Sequence, residues 1–205
     1  AAFGQQIGEG REDFTVKEAM RTKAYWHLVV AMGFRVFSKS ALYVHLVPLM
    51  VWKGIDEQTA GFLLAFFSIS EVPLRIFAAW SGDRWSMTKV PALCAFAGVG
   101  AAVVLLLGKE GSVWTVVIFV FLFAMAESGN LPSWALIGHF FGRQYFATIR
   151  GTLSLFQSLI SLPAPVFAGL VFDRTSSYTL ALGPMAGFYL LAGLLYWMMR
   201  SPKRP

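Results

Sequence analysis

Polar residues along this chain fall in short clusters separated by long apolar runs. After a polar, Gly-rich stretch over residues 1–13, Thr15-Val-Lys-Glu18 has the spacing of a capping box and predicts a short amphipathic helix to about Thr22. Six apolar segments follow, at 24–52, 57–80, 90–108, 113–140, 149–172 and 179–199. At about 1.5 Å rise per residue each spans roughly 30 Å of hydrocarbon, the longer ones by tilting or protruding. The pattern predicts an all-α membrane protein of six transmembrane helices, with residues 1–23 as the end of a preceding loop and 24–200 as the membrane domain. Residues 201–205 form a tail. Pro73, Pro132, Pro163 and Pro165 mark expected kinks, which membrane helices accommodate when neighbours satisfy the freed carbonyls.

Composition narrows the class. The 205 residues are 57% hydrophobic and 14% charged, against about 25% charged in a soluble domain. The net charge of +6 does not point to nucleic acid, because no basic block alternates with aromatics. Topology accounts for it. Eleven Lys and Arg lie in the segments at one side: Arg11, Lys17, Arg21, Lys23, Arg84, Lys89, Arg143, Arg150, Arg200, Lys203 and Arg204. Only Lys53, Lys109 and Arg174 lie on the other. The positive-inside rule then places both termini in the cytoplasm, in keeping with an even number of spans. Six of the seven tryptophans sit near segment ends, with Trp134 alone expected deep. Cys94 is the single cysteine, so no disulfide forms within one chain. The opening Ala-Ala-Phe-Gly has no initiator Met or signal peptide and reads as a chain entered partway through.

The remaining charges lie inside spans, where they are costly and normally face a bundle interior or a water-filled path. Glu71 and Arg75 stand at i,i+4 in the second span and can meet on one helix face. A guanidinium offers a planar fork that fits a carboxylate, which makes Arg75 the first candidate for a solute contact; a permanent structural pair with Glu71 is the alternative. Apolar surroundings favour a neutral Glu71 and the adjacent cation a charged one, a balance that suits proton coupling. Arg35, about 16 Å into the first span, shares a face with Lys39. Both add positive potential for an anion, or else they snorkel or pair with Glu127 of the fourth span. Glu127 and Asn130, three apart beside Pro132, form a polar break, and either coupling or helix–helix contact fits them. Gln157 in the fifth span is a candidate hydrogen-bond donor to solute or to a neighbouring helix. His45, lacking a partner at metal-ligand spacing, reads as a packing residue more readily than a proton relay. Gly183 and Gly187 have the small-xxx-small spacing of helix contacts. Three intramembrane cations against two carboxylates favour an anionic solute.

The loop Ala79-Trp-Ser-Gly-Asp83-Arg84-Trp-Ser-Met-Thr-Lys89 resembles the signature loop of the major facilitator superfamily, with core Asp-Arg-x-Gly-Arg-[Arg/Lys]. Asp83 and Arg84 match, whereas Ser86, Met87 and Thr88 depart from the Gly and basic positions. Phe140-Phe-Gly-Arg143 through Arg150-Gly151, and Phe172-Asp173-Arg174 through Tyr178, are similar to two further loops of the family. Glu71-x-x-x-Arg75 resembles the Asp-x-x-x-Arg pair on helix eight of monocarboxylate transporters, with Glu in place of Asp; a helix-eight arginine also binds substrate in oxalate:formate antiporters. The resemblance runs from about Phe14 to Arg200 and implies the C-terminal half of a twelve-helix carrier, built as a 3+3 inverted repeat.

It implies secondary transport of a small organic anion by alternating access, with Arg75, Arg35, Lys39 and Gln157 toward substrate. Glu71, Glu127 and Asn130 would serve proton coupling or ion pairing, and Asp83, Arg84, Arg143 and Arg150 a cytoplasmic gate. The expected partners are the anion, the bilayer, and an N-terminal six-helix half or a second copy, in the plasma (inner) membrane. Neither cofactor, metal nor nucleic acid is expected. The rival readings are a non-transporting scaffold or sensor, and a membrane enzyme, against which stands the lack of a nucleophile–base set or metal pair at usable spacing.

Overall fold

The computed structural model describes residues 13–202 and is helical, with no strand among them. Residues 1–12 of the polar leading stretch and 203–205 of the tail lie outside the described residues. The capping box forms: the Thr15 amide donates to Glu18 Oε2 at 2.8 Å and the Glu18 amide to Thr15 Oγ1 at 3.3 Å, opening α1 (Val16–Met20). Thr22 then caps the first span.

The six spans comprise α2 (Lys23–Val44) with α3 (Leu46–Trp52), α4 (Glu57–Arg84), α5 (Lys89–Leu107), α6 (Val113–Ser128) with α7 (Asn130–Phe141), α8 (Phe146–Ser161) with α9 (Ala164–Thr175), and α10 (Thr179–Met198). The last five are long and apolar enough to cross a membrane by length and composition alone. The first is long enough, but His27, Arg35 and Lys39 dilute its apolar character.

Three spans are broken, and each break sits three residues before a proline: His45 before Pro48, Gly129 before Pro132, Leu162 before Pro165. A proline ring clashes with the carbonyl four residues back and removes its hydrogen bond. Pro73, by contrast, lies inside the continuous α4.

The packing follows the repeat. The third span (α5) packs on the fourth (α6), as the sixth (α10) packs on the first (α2). The second (α4) packs on the fourth, as the fifth (α8 and α9) packs on the first, while α5 and α10 pack on each other. Exchanging spans one to three with four to six leaves this set of contacts unchanged, as an inverted repeat requires. The α5–α10 contact is close because each helix offers a glycine to the other's ring: a methyl group at Gly98 would stand 2.6 Å from Tyr189, and one at Gly193 2.5 Å from Phe96. The Gly183 and Gly187 pair expected to make such a contact meets nothing within 4 Å among the described residues. Spacing alone did not say which glycines face a neighbour.

Candidate functional site

The break at Gly129 creates the interior polar site. It ends α6 just after Glu127 and starts α7 at Asn130, so both side chains turn toward α2 at one level. Arg35, in the middle of α2, is 1% exposed. Its Nη1 donates to Glu127 Oε2 at 3.3 Å and its Nη2 to Asn130 Oδ1 at 2.8 Å. One turn along, Lys39 Nζ lies 3.1 Å from the same Oε2. The other carboxylate oxygen accepts from the Tyr189 hydroxyl of α10 at 3.2 Å. Three helices, α2, α6 and α10, thus meet at one carboxylate, and α7 joins them through Asn130 on Arg35. Ser38, between the two cations, donates to the Met185 carbonyl at 3.3 Å and fixes α2 against α10.

Electrostatics make this group unequal. Two cations divide one negative charge, so in their ordinary ionised forms they leave a surplus of one positive charge. A buried ion pair survives desolvation only with good geometry and further hydrogen bonds, which Asn130 and Tyr189 supply. Arg35 Nε remains buried without a hydrogen-bond partner among the described residues. The accessible member is Lys39, whose side chain is 30% exposed.

Arg75 and Glu71 form the expected i,i+4 ion pair through Nη2 and Oε1. They continue the α4 stripe that begins at the buried Phe67, whose ring stacks on Phe123 of α6 at 5.2 Å. Pro73, between them, leaves the Ile69 carbonyl without its helical donor. Arg75 Nε is buried without a hydrogen-bond partner among the described residues, although the side chain as a whole is 37% exposed.

A ring contact of 5.8 Å between Tyr43 of α2 and Phe67 of α4 relates the two charged groups. The helices run in opposite directions as consecutive spans. One turn from that contact, about 6 Å along each axis, brings Lys39 level with Glu71; a second turn brings Arg35 level with Arg75. No ion pair within 4 Å joins the two groups among the described residues. They are separate charged groups, a triad at Glu127 and a pair on α4, at matched depth.

Gln157 of α8 is partly buried, and its side chain makes no hydrogen bond among the described residues. Asp83, Arg84, Arg143 and Arg150 are all exposed at the basic end and form no ion pair with one another. The Arg84 guanidinium covers the Trp80 ring at 4.8 Å and Arg150 covers Trp134 at 4.7 Å. The Arg143 amide donates to Asp13 Oδ1 at 2.7 Å, tying that loop to the start of the described chain. At the opposite end His45 occupies the α2–α3 break. Its Nε2 lies 3.2 Å from the Pro165 carbonyl, which can only accept, so a neutral ring accepts from the Tyr178 hydroxyl at Nδ1, also 3.2 Å away. No group of three or more potential metal ligands occurs among the described residues.

The sequence profile of the Major Facilitator Superfamily matches residues 28–205. The chain belongs to that superfamily. Similar curated proteins include Monocarboxylate transporter 12-B of Danio rerio, 27% identical over 175 residues, covering 82% of this chain and 36% of the relative. Human Monocarboxylate transporter 12 is 25% identical, covering 86% and 35%. The uncharacterized transporter YycB of Bacillus subtilis is 24% identical, covering 78% and 40%. The chain thus spans little more than a third of the length of these relatives. It is a multi-pass membrane domain with half of a major facilitator fold.

Sequence reasoning missed Tyr189, which donates to Glu127. Its only signal was a hydroxyl in an apolar span, and nothing in the pattern said which face of α10 meets α6.

Proposed function

We propose that this domain is half of a secondary carrier for a small organic anion of the monocarboxylate class. The observation that carries the reading is that Arg35 and Lys39 share the single carboxylate of Glu127. A solute carboxylate supplies the missing negative charge. Lys39, the more accessible cation of the group, meets it, while Arg35 holds the local potential from its buried position. Arg75 contributes a second contact through its guanidinium, at matched depth on α4, and Gln157 offers a hydrogen bond from α8. Transport of a monocarboxylate, named for the vertebrate relatives, is consistent with this charge pattern.

Proton coupling is assigned to Glu71. An anion arriving at Arg75 competes with Glu71 for the guanidinium, and the released carboxylate then takes a proton. Both termini face the cytoplasm, as the eleven-to-three distribution of Lys and Arg favours, in a plasma membrane. Asp83, Arg84, Arg143 and Arg150 serve as the inner gate, their pairings changing as the halves rock.

The other half of the site comes from an N-terminal six-helix domain or a second copy. The second and fifth spans favour this arrangement: only 22% of the most apolar window of α4 and 11% of that of α8–α9 are buried, leaving two walls for a partner or lipid to cover. Ligand-dependent thermal stability in detergent, with the N-terminal half co-expressed, tests the reading. Small carboxylates should raise the melting temperature, and Arg75→Ala should abolish the rise. If no anion shifts the wild-type protein, a scaffold role takes its place.

A further inference from the structure

At the basic end of the bundle, α2 begins beside the point where α10 stops. Between them lies a cleft of about 380 Å3 whose lining includes Arg21, Thr22, Lys23, His27, Met198 and Arg200. Among the described residues no carboxylate lines it. Arg21, Lys23 and Arg200 are exposed and form no ion pair among the described residues. The Thr22 hydroxyl is already engaged, donating to the Ala19 carbonyl at 2.7 Å and accepting from the Tyr25 amide at 3.2 Å. The charged groups left to meet a ligand are the cations Arg21, Lys23 and Arg200, beside the Ser201 hydroxyl, and the N-terminus of α2 adds its partial positive charge.

Orientation of the chain accounts for positive charge at this end, but it needs no cavity and no convergence of cations from the first and last spans. The surroundings specify the ligand further. Trp26 and Trp197 are half exposed on the two flanking helices, at the level where indole rings meet lipid headgroups. Each is held in place: Trp26 Nε1 donates to the Met20 carbonyl at 2.9 Å, and Lys89 Nζ lies 5.5 Å from the Trp197 ring centre. From the cleft, Met198, Leu194 and Leu191 run along one exposed face of α10, a path for an acyl chain.

We propose that this cleft binds a phosphate group, presented by an anionic phospholipid whose chains lie along α10. Phosphate oxygens accept charge-assisted hydrogen bonds from several cations at once, and basic pockets between spans suit anionic headgroups. The site is remote from the Glu127 and Arg75 groups and independent of the transported solute.

Native mass spectrometry of the purified protein with equal amounts of phosphatidylglycerol and phosphatidylcholine tests it. Wild type should retain phosphatidylglycerol over phosphatidylcholine by about tenfold or more. The exposed-residue variant Arg21→Gln/Lys23→Gln/Arg200→Gln should lose that preference, while Arg84→Gln/Arg143→Gln/Arg150→Gln, which removes equal charge elsewhere at the same end, should keep it. Added inorganic phosphate or glycerol 3-phosphate separates the sources. Displacement of the lipid assigns the cleft to phosphate as such, and failure to displace assigns it to the intact lipid. Equal retention of the two lipids by wild type, a preference that survives in the cleft variant, or loss in both variants overturns the proposal.

Discussion

Lys39 and Arg35 hold the same oxygen. Lys39 Nζ lies 3.1 Å and Arg35 Nη1 3.3 Å from Glu127 Oε2, yet Arg35 is sealed in the bundle and Lys39 is 30% exposed. The two cations therefore differ in what they depend on: Arg35 has only the bundle interior around it, whereas Lys39 also reaches the surface, and the proposed solute contact rests on Lys39.

Stability should divide along that line. Glu127→Gln strands the buried Arg35 charge and should destabilise the protein by about 3–5 kcal/mol. Lys39→Met leaves the Arg35–Glu127 pair intact and removes the partly exposed cation, so it should stay within about 1 kcal/mol of wild type. Denaturation of the two variants in detergent micelles checks this; equal losses would contradict the division.

Arg75 and Glu71 should separate binding from coupling. Arg75→Lys keeps the charge but loses the planar fork, so KM for a carboxylate should rise about tenfold, equivalent to about 1.4 kcal/mol. Glu71→Gln should abolish the response of uptake to a pH gradient while solute exchange continues. Uptake by Glu71→Gln that still follows the gradient would remove Glu71 from the coupling step.

The α5–α10 contact can be probed with one methyl group. Gly193→Ala drives a side chain into the Phe96 ring and should lower stability by about 1–3 kcal/mol. Gly183→Ala, with nothing within 4 Å, should have no such effect. Comparing the melting temperatures of the two variants decides it.

Acidification should loosen the start of α4. The amide of Thr59 donates to Asp56 Oδ1 at 2.9 Å and lowers the Asp56 carboxyl below its ordinary value. A carboxyl lowered on folding stabilises above its unfolded value, and that contribution disappears as pH falls through the folded one. Asp56→Ala should melt below wild type at neutral pH, with the difference closing once the carboxyl is protonated. A difference that is constant with pH would exclude the charged cap as its source.

Much of this architecture is legible in the sequence because hydrocarbon imposes simple rules. Apolar length marks the spans, and Thr15 with Glu18 announces the first cap. The i,i+4 spacing suffices for Glu71 and Arg75, which depend on one helix alone. It does not suffice where a position depends on two helices. Lys39 and Arg35 could be placed on one face of α2, with Glu127 as a possible partner, but choosing that pairing over snorkelling required the break at Gly129 and the packing of α6 on the bundle. Tyr189 was hidden for the same reason. The break at His45 was missed although Pro48 was visible, because the ring acts on the carbonyl one turn earlier rather than at its own position.

The most direct test is uptake of a labelled monocarboxylate by proteoliposomes holding this chain together with an N-terminal six-helix half, comparing wild type with Lys39→Gln. Saturable uptake, with KM raised about tenfold by the loss of one charged contact, is the predicted result. An unchanged KM, or a wild-type preference for a neutral or cationic solute, would contradict the claim that the surplus positive charge at Glu127 receives an anion.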